Sequence, residues 1–216
     1  MKITPRGGYN MFFGDLVDKS RGSYSAGIMI DREMTTFLSA RSQLIGGAMQ
    51  GTQTMQNMVY AKFDNFYTEF TVGGAYRPLN HLLGYFKQRT FQPYAHLNTG
   101  LVYFSATEYW GEASGGPVDE EWRSASEIAP VISIGGGAEI WINPVISASI
   151  EVSGSLPFSD KMDVHDVWYN SYEDWQNDVN PHSTEPFDFY YNFTVGISIT
   201  LNDSQFNNDP KYKRIK

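Results

Sequence analysis

The chain contains no cysteine. This excludes a disulfide framework, a thiolate metal site, a cysteine nucleophile and an acyl anchor on cysteine, so packing and backbone pairing must hold the fold. Basic residues are scarce: 16 Lys and Arg stand against 24 Asp and Glu, for a formal charge of -8. The one dense basic stretch is the tail Lys211, Lys213, Arg214 and Lys216. Neutralising phosphates needs clustered cations, so no nucleic-acid partner is expected. No run of about 18 apolar residues exists, which excludes a spanning helix. It leaves a spanning β-barrel open, because barrel strands are short and individually weakly hydrophobic. The N-terminal stretch Met1 to Gly8 lacks the apolar core of a secretory signal, as expected of either a cytosolic chain or a mature form.

What is abundant is glycine, 20 of 216 residues, and aromatic side chains, 15%. The length fits one domain. From Phe187 to Leu201, Phe189, Tyr191, Phe193, Val195, Ile197, Ile199 and Leu201 alternate with Asp188, Tyr190, Asn192, Thr194, Gly196, Ser198 and Thr200. A second segment, Phe66 to Arg77, sets Phe66, Phe70, Val72 and Tyr76 against Tyr67, Glu69, Thr71 and Arg77. Period two over such lengths predicts long strands with unlike faces. The same template fits Arg6 to Gly14, Ser23 to Arg32, Thr36 to Gly46, Gln92 to Ala106, Glu127 to Ile140 and Val145 to Ser155, giving eight strands. A short helix over Leu79 to Phe86 is the one helical alternative.

Glu33 to Thr35 and Trp141 to Pro144 read as tight turns, whereas Asp15 to Gly22, Gly47 to Asn65, Thr107 to Ser126 and Leu156 to Pro186 read as long loops. Pro78 to Phe91 falls on the short side but is longer than a turn. Alternating short and long connections predict an all-β, eight-stranded, antiparallel up-and-down barrel with plain turns at one end and elaborated loops at the other.

Period two alone does not say whether the apolar face points inward, as in a soluble ligand carrier, or outward into lipid. The polar face carries Asp31, Arg41, Glu69, Arg77, Glu139 and Glu151 near mid-strand among many glycines, which suits a narrow filled interior. A soluble barrel would need lysines and glutamates on its outer face, and these strands have few. Tyr9, Tyr24, Tyr76, Tyr103 and Phe189 sit near the ends of the apolar stripes, where interfacial girdles belong. The expectation is therefore a transmembrane barrel in contact with outer-membrane lipid. Eight strands enclose only enough room for side chains, so it is not a porin. Arg41, Glu69, Arg77, Glu139 and Glu151 are then expected to form a buried charge network.

Enzymatic chemistry finds little support in the residues. His81, His96, His165 and His182 show no spacing to a serine that matches a nucleophilic constellation. Asp160, Asp163, His165 and Asp166, with Glu173, Asp174 and Asp178 beyond, form an acidic loop whose spacing fits no calcium loop, and no cofactor is expected. In the same loop Trp168, Tyr169, Tyr172 and Trp175 are candidates for contact with a partner, since aromatics dominate interface hot spots. Thr194, Gly196, Ile199 and Leu201 look like the C-terminal β-signal of barrel assembly.

Phe13-Gly14-Asp15-Leu16, Phe91-Gln92-Pro93-Tyr94 and Ser159-Asp160-Lys161-Met162-Asp163-Val164 resemble short motifs of the small outer-membrane β-barrel proteins of Bacteroidetes, and among them the PorG-like barrels of the type IX secretion system. Lys161 stands where that family has tyrosine. The resemblance spans roughly Gly7 to Leu201. Together with the strand count it is expected to give an OmpA/OmpX-like barrel over 1–201 and a periplasmic polar tail over 202–216, and short turns on the periplasmic side make both termini periplasmic. The resemblance also implies a non-catalytic role as anchor or accessory subunit of a larger envelope assembly, with periplasmic ring or lipoprotein components as partners. The alternatives are a stand-alone OmpX-type barrel with an adhesive or stress role, a lipid-modifying enzyme, and a soluble carrier.

Overall fold

The computed structural model describes residues 1–13, 19–20, 23–55, 57–84, 90–159, 161–164, 167–168, 176–177, 179, 182–183 and 188–201. Eight long strands dominate it: β1 (Lys2–Phe13), β2 (Tyr24–Glu33), β3 (Leu38–Met55), β4 (Met58–Tyr76), β5 (Phe91–Trp110), β6 (Glu121–Trp141), β7 (Ile146–Pro157) and β8 (Phe189–Thr200). Each pairs antiparallel with its chain neighbour, and β8 pairs with β1 from Lys2↔Thr200 to Phe13↔Phe189, closing the ring. Closure leaves no exposed edge over that stretch, so every ladder hydrogen bond is satisfied without water, as a membrane span requires.

The alternation resolves into two faces. On β8, Phe189, Tyr191, Phe193, Val195, Ile197 and Ile199 are exposed, while Tyr190, Asn192, Thr194 and Ser198 are buried. On β4, Phe66, Phe70 and Val72 point out, and Tyr67, Glu69 and Thr71 point in. The apolar face is therefore the outer one. From Tyr76 to Phe66 the outward stripe covers ~33 Å of strand, or ~25 Å of height at a tilt near 40°, which matches the apolar band of an outer-membrane barrel. Rings mark its edges. Phe13 stacks on Phe189 at 5.1 Å with Tyr191 edge-on at the loop end, and Phe37 meets Tyr76 edge-on at the turn end.

Two connections differ from expectation. The stretch from Gly47 to Asn65 is not a long loop: β3 and β4 continue as a paired hairpin to Met55↔Met58, where Asn57 adopts φ 67°. Thr107 to Ser126 shrinks likewise, because β5 runs to Trp110 and β6 starts at Glu121. The polarity of the two faces reverses there. Beyond Phe66, Lys62 and Asp64 face out while Phe63 and Ala61 are fully buried, as fits a wall that leaves lipid for water and packs its inner side. At the turn end the helix α1 spans Pro78–Leu83 rather than Leu79 to Phe86, and Gly84, at φ 77°, ends it.

Candidate functional site: the barrel interior and its rims

Inward side chains of β1, β2, β3, β5, β6 and β7 build a charged layer toward the turn end. Glu151 on β7 is its hub. It accepts from Arg6 Nη1 at 2.7 Å, Arg41 Nη1 at 2.7 Å and Tyr94 Oη at 2.8 Å, and His96 Nε2 lies 3.4 Å away. Arg6 also donates to Gln43 at 2.8 Å, and Arg41 Nε donates to Asp31 at 3.0 Å. The Arg41 guanidinium lies 4.9 Å from the Tyr94 ring centre. Nearer the turns, Lys2 donates to both oxygens of Glu139 at 2.9 Å, and Ser147 donates to the same carboxylate. These side chains are buried, and burial of that depth is tolerable only because each charge meets an opposite one.

Toward the middle the chemistry changes from ion pairs to hydroxyls and amides. Glu69 is fully buried and accepts from Tyr190 Oη and from Ser155 Oγ, the latter at 3.2 Å. Tyr67 Oη donates toward Asn192 at 3.0 Å and lies 3.3 Å from Asn10 Oδ1.

Toward the loop end the interior becomes apolar. Phe12, Met49, Phe63, Val102, Phe104, Val131 and Met162 form one buried cluster with Trp110 and Trp122. The two indoles stack with centroids 3.7 Å apart, and Arg123 covers Trp122 while pairing with Glu108 at 3.0 Å. Burial beside Glu108 pushes the Tyr60 phenol, which packs on Trp122, above its ordinary pKa. Met162 comes from the β7–β8 connection and is clamped by its backbone. Its N–H donates to Asp188 at 2.9 Å, and its carbonyl accepts from Asn65 Nδ2 at 2.6 Å. With Met162 at 0% and Asp163 at 1% exposure, this segment fills the mouth instead of lying in solvent.

The structure brings Arg41 and Glu151 together and joins Glu139 to Lys2. Arg77 is buried at the turn end with no carboxylate within ion-pair distance among the described residues. Glu69 stands apart from the cations, in the hydroxyl layer. Lys2 and Arg6, which sequence reasoning passed over, are central; the signal was Lys2, Thr4 and Arg6 alternating with Ile3 and Pro5. Thr194 and Gly196 face the interior, and Ile199 and Leu201 face out, with Leu201 N–H bonded to Met1 O at 2.8 Å. Among the partner candidates, Trp168 belongs to a two-residue strand paired with His182. Tyr169, Tyr172 and Trp175 lie outside the described residues, as do Asp160, His165, Asp166, Glu173, Asp174, Asp178 and the tail 202–216.

A closed ring of eight antiparallel strands, apolar outside and filled inside, is the fold of the small outer-membrane β-barrels. Among solved structures, the chain is similar to Neisserial surface protein A (NspA) at TM-score 0.51 and 8% identity, covering 93% of this chain and 96% of that one. It is likewise similar to a major outer membrane protein from Thermus thermophilus, at TM-score 0.51 and 11% identity, over 92% and 98% of the two chains. No protein-family model and no curated protein matches the sequence.

Proposed function

We propose that this barrel is a non-catalytic integral outer-membrane protein serving as anchor or accessory subunit of a larger envelope assembly. The observation that carries this reading is the filled interior. Ion pairs, then hydroxyls, then an apolar cluster closed by Met162 occupy the lumen in succession, so function falls to the rims and loops. His96 contacts Glu151 and Asn98 and is buried within the charged layer toward the turn end. That position supports a structural role for it over that of a base. The short motifs resembling PorG-like barrels favour the type IX secretion system as the assembly. In this reading both termini and the 202–216 tail are periplasmic, the turn end meets ring or lipoprotein components, and the aromatic loop faces outward.

The test is purification in mild detergent from the native membrane. Stoichiometric recovery of periplasmic or lipoprotein subunits is expected, together with loss of type IX cargo secretion on deletion. Recovery as a lone barrel would favour the stand-alone OmpX-type reading, and altered lipid A acylation on deletion would favour an enzyme.

A further inference from the structure

We infer that α1 is an interfacial foot: its Leu82 and Leu83 insert into the leaflet on the turn side of the barrel, with phospholipid as the occupant. Leu82 and Leu83 are 75% and 68% exposed, more than any other large apolar side chain among the described residues. The polar residues of the helix hold it in place and leave these two outward. Asn80 Nδ2 donates to the Thr36 carbonyl at 2.8 Å, and the Arg77 N–H donates to the Phe37 carbonyl at 2.8 Å. His81 Nδ1 lies 2.7 Å from Tyr76 Oη, and its ring stacks on Phe37 at 4.6 Å.

Tyr76 is the last outward residue of β4, on the lipid-facing side of the wall, so His81 fastens the helix to the exterior rather than across the mouth. The surface is continuous with the belt. Leu38, paired with Tyr76, is 41% exposed, and Phe91, which opens β5, is 54% exposed. The neighbouring turns carry exposed apolar side chains too, Met34 at 57% and Ile142 at 67% beside the polar Thr35 and Asn143, so apolar surface recurs around the turn-side rim. An aromatic–histidine cluster at headgroup level with leucines beside it is the composition of an interfacial element. The inference is independent of whether the barrel serves an assembly, because lipid is present with or without a partner.

The chain has no cysteine, so Leu82→Cys and Leu83→Cys each provide one labelling site, and both positions are exposed enough for substitution to spare folding. Each variant is labelled with bimane and refolded into phosphatidylcholine–phosphatidylglycerol vesicles without any partner, with heat-dependent gel migration confirming the folded form. Val195→Cys, mid-belt, and Glu112→Cys, in the loop-end connection, serve as references. An interfacial apolar face sits roughly 5–10 Å into the headgroup–acyl boundary, so shallow doxyl lipids should quench the Leu82 label at least about half as strongly as the Val195 label. Iodide should quench it much less than the Glu112 label. Strong iodide quenching without lipid quenching overturns the inference. So does a label shielded from both quenchers, which would mean that protein covers the leucines.

Discussion

Replacing Glu151 with Gln tests whether the interior is dry and held by charge. The substitution keeps the shape of the side chain but removes the counter-ion shared by Arg6 and Arg41, each at 2.7 Å, and weakens the acceptor for Tyr94. Arg41 retains Asp31 at 3.0 Å, whereas among the described residues Arg6 keeps Gln43 and the Met29 sulfur, neither of them charged. Removing one partner of a buried pair costs about 3–5 kcal/mol, because the remaining charge is left desolvated. At 1.4 kcal/mol per decade this lowers the folding equilibrium constant by roughly two to three and a half powers of ten. The assay is urea unfolding of the vesicle-refolded protein, read by tryptophan emission and by the fraction that migrates as the compact form. Arg41→Gln in the Glu151→Gln background should cost less than in the wild type, with a coupling of about 0.5–3 kcal/mol. A Glu151→Gln cost below about 1 kcal/mol, the range of a solvated pair, would refute the reasoning and imply a hydrated lumen.

Other consequences follow from the same packing. Met162→Ala should destabilise by about 2–5 kcal/mol and expose the β7–β8 connection to protease, measured by unfolding and limited trypsin digestion. Asp188→Asn should weaken the same clamp more mildly, since the Met162 N–H keeps an acceptor. A Cβ on Gly8 would collide with the Phe193 carbonyl, whereas one on Gly7 would meet nothing closer than 3.6 Å. Refolding yield should therefore fall sharply for Gly8→Ala and stay near wild type for Gly7→Ala. Trp122→Ala should cost about 3–5 kcal/mol in unfolding assays while leaving the lipid belt untouched, because its stack with Trp110 lies in the loop-end wall beyond the outward apolar stripe.

Where the strands face lipid, the sequence was readable. Phe66 to Arg77 and Phe187 to Leu201 alternate without a break, and each described residue falls on the face its parity implies. Legibility failed where β3 to β6 leave the bilayer. Period two continues there, but Lys62 and Asp64 take the outer side and Ala61 and Phe63 the inner, so a template tuned to a constant apolar face ends the strand too early. The interior acids and arginines were visible as polar-face residues, yet their partners were not. Glu151 on β7 reaches Arg41 on β3 across the lumen, and that pairing depends on barrel closure and strand stagger, which no local spacing records. The same reasoning explains Glu69, whose neighbours Tyr190 and Ser155 come from strands far along the chain. Met162 was hidden for another reason: an isolated apolar residue in an acidic stretch gives no sign that its backbone is captured by Asp188 and Asn65.

The central claim is that acyl chains cover the outer face of the ring, and site-directed spin labelling along β8 tests it most directly. Nitroxides at Phe193 and Val195 should show high collision rates with oxygen dissolved in the bilayer and low rates with a water-soluble nickel chelate, while labels at Asn192 and Thr194 should be shielded from both. Labels at Phe193 and Val195 shielded from oxygen, with those at Asn192 and Thr194 exposed to the acyl region, would contradict it.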